Sequence, residues 1–119
     1  MDAINLAEKL TQFDDQWSPR IVAQMNDCQF KLARIEGDFI WHSHDDTDEA
    51  FFVVQGEFDM EYRDRTVTVK AGELVVVPKG VEHRPCAAKE CQIMLIELAG
   101  TVNTGNAGGD LTASNDEWI

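Results

Sequence analysis

The chain has 119 residues and a formal net charge of −12, from 22 acidic and 10 basic side chains. That length suffices for one domain, residues 1–119, with a substantial core, and is too short for two. The charge, with a pI near 4.4, excludes nucleic acid, whose phosphates demand a basic footprint, and weighs against an anionic membrane surface. The N-terminus, Met1-Asp-Ala-Ile-Asn-Leu, lacks the basic start and apolar stretch of a signal peptide. The longest apolar runs, residues 50–54 and 74–77, are too short to span a bilayer. Cys28, Cys86 and Cys91 make an odd count without a paired C-x-x-C spacing, so reduced thiols and a cytoplasmic location are expected.

Residues 3–13 read as a short amphipathic helix. Ile4, Ala7, Leu10 and Phe13 recur every three residues opposite Glu8, Lys9 and Gln12. Asp2 or Asn5 is the expected cap, and Asn5 with Glu8 has capping-box spacing. After Ser18-Pro19 the pattern changes to strands at 21–25, 30–35, 39–42, 49–55, 58–62, 66–70, 74–77, 82–86 and 92–98, separated by turn signals such as Gly56 and Arg63-Asp64. Many short strands with little helix predict an all-β sandwich or barrel, spanning about residues 20–98. Residues 100–119, rich in Gly, Asn, Thr and Ser, read as a loose tail whose Trp118 and Ile119 are candidate anchors.

Residues 50–54 and 74–77 are apolar on both faces, so both faces of those strands must be covered. One face fills the barrel. A second subunit or the chain's own ends must cover the other, and a homodimer is the expectation. Residues 57–62, by contrast, alternate acidic and apolar side chains, as in a strand with one wet face.

All three histidines fall in two short stretches. The first runs from Gly37 through His42, His44 and Glu49 to Gly56; the second from Gly72 through Pro78 and Gly80 to His83. Side chains alternate along a strand, so His42 and His44 point the same way. Glu49 reaches that side from the following strand, and His83 arrives behind a turn set by Pro78 and Gly80. Taken singly, each histidine would be read as a core or surface residue. Their joint spacing favours one site for a divalent transition metal with His42, His44, Glu49 and His83 as ligands. Asp45, Asp46 and Asp48 read as a solvated loop beside it.

The two stretches resemble the paired motifs of the cupin superfamily, G-x5-H-x-H-x3-4-E-x6-G and G-x5-P-x-G-x2-H-x3-N. The chain departs from them twice. Four residues separate Gly37 from His42 where the motif has five, and Ala87 stands at the usual Asn. The resemblance implies a jelly-roll barrel (double-stranded β-helix) over about residues 37–98, with the four ligands intact. It also implies a small single-domain cupin of the conserved-barrel, mannose-6-phosphate-isomerase-like type that takes a small organic ligand or substrate.

Fe, Mn, Ni, Co, Cu and Zn all suit such a donor set, and four protein ligands leave two positions open on a six-coordinate ion. With every histidine engaged, a proton carrier must be metal-held water, Glu97, Glu61, Tyr62 or Glu49 itself. Arg34, Arg63, Arg65 and Arg84 are candidate partners for an anionic substrate, although Arg84, next to His83, faces away from the site. Cys86 faces away likewise. An apolar pocket lined by Phe51, Val53, Phe58 and Met60 would suit dioxygenase-type oxidation, which needs little beyond a metal with open positions. A Lewis-acid sugar isomerase or epimerase, and a non-enzymatic ligand-binding or sensory barrel, are the alternatives.

Overall fold

The computed structural model describes residues 1–119. One short helix, α1 (Leu6–Leu10), precedes seven strands: β1 (Arg20–Met25), β2 (Cys28–Asp38), β3 (Glu49–Gln55), β4 (Glu57–Tyr62), β5 (Thr66–Lys70), β6 (Leu74–Val77) and β7 (His83–Leu98). Every strand pairing is antiparallel. The β-barrel of jelly-roll type expected from the sequence is what forms.

The helix is shorter than its periodicity predicts. Asn5 has extended backbone and its side chain accepts the Glu8 N–H, so the helix cannot begin at Ala3. The Thr11 N–H and hydroxyl both donate to the Glu8 carbonyl and end it. Phe13 lies beyond the helix and is still buried, with Leu10, against Val22 and Leu32 on the outer side of the sheet.

β7 is the spine. It runs 16 residues, where the sequence predicts separate strands at 82–86 and 92–98. β2 flanks it on one side, while β4 and then β3 flank the other. Fully extended, 16 residues would span about 50 Å, more than the 42 Å long axis of the whole molecule. The strand therefore bends, at the exposed residues 88–90. The bend brings its two ends, His83 and Glu97, toward the same residue, Glu49. Gly56, in the β3–β4 turn, sits against this bend with φ +89°, and a Cβ there would stand 3.3 Å from the Cys91 Cα and the Glu90 carbonyl oxygen. Only glycine fits both the backbone angle and the approach.

The core joins inward residues of β2 to β7, including Ile35, Phe51, Val53, Phe58, Met60 and Ile93. Residues 39–42, expected as a strand, are irregular apart from one bridge between His42 and His83. The terminal segment is also unlike its expectation. The Asn103 amide donates to the carbonyls of Trp17 and Leu111, and Thr104 is fully buried. Ile21 makes strand-like bonds with Glu117 and Ile119 at the edge of β1 (Ile21 N–H to Glu117 O, 2.7 Å; Ile119 N–H to Ile21 O, 3.0 Å), so Ile119 anchors the end as expected. Asparagine side chains and backbone groups, which leave no hydrophobic period, fasten this segment.

Candidate metal centre

His42 and His83 are joined by reciprocal backbone bonds, His42 N–H to His83 O (3.1 Å) and His83 N–H to His42 O (2.9 Å). This bridge sets the two imidazoles 4.3 Å apart between centroids. The loop before β7 is fixed on the same ground: the Gly80 N–H donates to the His44 carbonyl, and the Lys79 N–H donates to Asp48 Oδ1. His44 enters from the loop after His42, and Glu49 opens β3. All four side chains are buried, and one ligating atom from each lies within 4.8 Å of the others. Such a group could hold a metal ion.

The ring nitrogens are aimed. His42 Nδ1 lies 2.9 Å from the Ile40 carbonyl oxygen, and His83 Nδ1 lies 2.9 Å from that of Val81. A carbonyl only accepts, so each Nδ1 carries a proton, and in the neutral ring it is Nε2 that offers a lone pair to the cluster. Glu49 Oε1 is 3.3 Å from Nε2 of both His44 and His83. Those three atoms are buried without a hydrogen-bond donor or acceptor to satisfy them. Buried polar atoms are rarely left so, and a cation among them would satisfy all three.

Electrostatics favour the ligating states. Burial, reinforced by His83, lowers His42 to about 4, so its ring is neutral at pH 7. Burial pushes Glu49 up, but the adjoining Glu97, His44 and His83 side chains outweigh it and hold the carboxyl well below the usual range. Glu97 is raised well above its ordinary value by burial and by the adjacent Glu49 carboxylate. Lys31 counters this, its Nζ 2.9 Å from Glu97 Oε1 in a pair almost wholly buried on both sides. Periodicity carried a signal for this pair: Lys31 occupies the core-facing register of β2 with Ala33 and Ile35.

Beside the cluster lies a small cavity of about 30 Å³, room for about two water molecules. His42 and Glu49 form one wall; Ala33, Ile35, Phe51, Ile93 and Leu95 form the others. Among the lining residues only Trp17 and Asn103 are partly exposed. Of the apolar residues expected to line it, only Phe51 does; Val53, Phe58 and Met60 are packed into the core. No arginine reaches it. Arg34 pairs with Glu90, Arg63 with Glu82 and Arg84 with Glu61, while Arg65 lies over the Tyr62 ring. Glu61 is thereby occupied by Arg84. Asp45 and Asp46 are exposed outside the cluster. Burial and a hydrogen bond with Asp38 push the Cys86 thiol up to about 12, and burial pushes Cys91 up to about 11; neither is a nucleophile near neutral pH.

A jelly-roll β-barrel with a buried three-histidine, one-glutamate group defines the cupin class. The family model for the cupin domain matches residues 30–97, more than half the chain, and the chain belongs to that family. It is 53% identical to a cupin-2 domain containing protein from Shewanella frigidimarina NCIMB 400, with a TM-score of 0.79 over 80% of this chain and 93% of that one. Protein NMB1881 from Neisseria meningitidis is 37% identical, with a TM-score of 0.75 over 82% of this chain and 99% of that one. The uncharacterized protein YdbB of Bacillus subtilis (strain 168) is 38% identical over 64 residues, 53% of this chain. The chain spans 57% of that relative's length.

Proposed function

We propose that the chain is a metal-dependent cupin that oxidises a small organic molecule in a dioxygenase-type reaction. His42, His44, Glu49 and His83 hold one divalent transition metal, and the adjoining cavity admits the part of the substrate that meets it. The observation that carries this reading is the set of unsatisfied buried atoms, His44 Nε2, His83 Nε2 and Glu49 Oε1, converging on one point. A bound ion supplies Lewis acidity there, and a redox-active ion supplies electrons for chemistry with dioxygen.

The protein's own residues prepare the site. His42 releases no proton on binding metal at pH 7, because its ring is already neutral. Carbonyl bonds hold the rings of His42 and His83 in one orientation, and the apolar walls exclude water. The substrate class follows from what those walls lack. No lysine or arginine lines the cavity, and Asn103 spends its side chain on Trp17, Leu111 and Ala113. A phosphate or carboxylate held away from the metal would find no side-chain cation there. A small molecule, apolar apart from the oxygen it offers to the metal, suits the cavity better than a sugar phosphate does.

The test is oxygen uptake by iron-loaded protein with a panel of small chelating ketones and enols. Substrate-dependent uptake, lost in His83→Ala, supports the reading. Isomerisation on zinc- or manganese-loaded protein without uptake would replace it with Lewis-acid chemistry. Tight binding without turnover would leave a ligand-binding barrel.

A homodimer completes the proposal. β6 ends the sheet beside β3, with Leu74 62% and Val76 51% exposed and no helix over them. In a chain of net charge −12 most faces of two copies repel, and this exposed apolar pair is where they can meet. Three free cysteines accord with a reducing compartment such as the cytoplasm.

A further inference from the structure

Two of the three candidate ligand histidines are oriented by their own chain. His42 Nδ1 bonds the carbonyl of Ile40 and His83 Nδ1 that of Val81, each two residues back. His44 has no such carbonyl. What lies against its ring is the terminal segment beyond the family-matched residues 30–97. The Asn106 side chain accepts the Ser43 N–H at 3.0 Å, and the Asn106 N–H donates to the Ser43 carbonyl at 3.1 Å. Gly105 is pressed so close that a methyl group there would collide with the Ser43 carbonyl and stand 3.1 Å from His44 Nδ1.

We propose that Gly105 and Asn106 are positioning residues for His44, forming a strap that supplies from outside the barrel the orientation His42 and His83 obtain from their own backbones. The inference rests on the reading of the four residues as a metal centre. The strap is anchored before and after this contact. Lys31 Nζ donates to the Thr101 carbonyl at 3.2 Å, and Asn103 ties Trp17 to Leu111. The Ala113 N–H bonds Asn103 Oδ1 at 2.9 Å. The strap thus fixes His44 together with Asn103, a residue lining the cavity. Gly105 has φ +53°, and this left-handed backbone lets the chain lie flat on the Ser43–His44 peptide. Groups that bond a ligand imidazole directly hold it at the angle the ion needs, and their loss typically costs 10–100-fold in metal affinity; the strap acts on His44 through the Ser43–His44 backbone it bonds and packs against.

The test uses the full-length chain and Asn106→Ala. Asn106 is exposed, so the core is untouched. Two readouts are taken: Co(II) affinity with the visible spectrum of the bound ion, and the histidine ring NMR signals of metal-free protein. The proposal predicts Co(II) binding weakened about tenfold or more, with a changed Co(II) spectrum. It also predicts that the His44 ring signals shift while those of His42 and His83 stay. Asn106→Asp, which keeps the acceptor, retains the His44 signals, and Gly105→Ala disturbs them as Asn106→Ala does. Unshifted His44 signals in Asn106→Ala overturn the proposal, as does unchanged affinity where the wild type binds Co(II). A wild type that takes up no Co(II) ends the metal-centre reading instead, and the His44 signals of the metal-free chain then decide the strap by themselves.

Discussion

His42, His44, Glu49 and His83 crowd two lone-pair nitrogens and a carboxylate into a buried space with nothing between them. A metal-free chain carries that as a cost, and a metal-loaded one as a gain of about 2.7 kcal/mol at a free ion concentration 100 times the Kd. His83→Ala should weaken Co(II) binding by more than the roughly 10–100-fold that losing an outer partner costs. The far-UV circular dichroism of the variant should remain that of the wild-type barrel. Unchanged affinity would remove His83 from the site. The pH behaviour of His42 follows from burial. An unfolded histidine takes its proton near 6.5, while folded His42 resists until about 4. Between those values the unfolded chain binds more protons, so metal-free stability falls as pH drops through that window. Ring NMR of metal-free protein should show His42 neutral at pH 5.5; a midpoint near 6.5 would contradict the burial argument.

Among the elements, the β2–β7 pair carries the heaviest polar load, because Lys31 and Glu97 face each other in the interior beside Glu49. Breaking a buried pair from one side is worse than replacing both partners. Lys31→Met should destabilise the protein by about 3 kcal/mol, near the lower bound because protonation of Glu97 relieves part of the loss. Lys31→Met with Glu97→Leu should recover most of that in urea unfolding, and an equally unstable double variant would show that the pair is not the cause. The four candidate ligands are legible in the sequence, and the alternation that puts Lys31 on the core face of β2 is a signal the sequence reading leaves unused. Strand alternation and motif spacing assign a side chain to a face before any fold is known. The bend of β7 is not legible, because Ala88, Lys89 and Glu90 read equally well as a loop between two strands. Nor is the packing of residues 100–119: hydrogen bonds from Asn103 and Asn106 hold it, and a Gly- and Asn-rich composition carries no period to reveal them.

For the molecule as a whole, the outer sheet divides into a covered half and an open half. α1 and Phe13 cover Leu32 and neighbouring Met94 and Val54, which answers part of the two-faced apolar pattern from within one chain. Leu74 and Val76 stay exposed, and a dimer through that face would bury them. Light scattering should give twice the chain mass for the wild type and the single-chain mass for Val76→Lys; a monomeric wild type would leave the face without this partner. No helix is long and apolar enough to cross a membrane.

The most direct measurement is elemental analysis of protein purified without added metal, repeated after reconstitution with Fe(II), Mn(II), Co(II), Ni(II), Cu(II) or Zn(II). One divalent transition metal per chain, lost on substitution of His83, is the predicted result. No stoichiometric metal under any of these conditions would contradict the metal centre and the function built on it.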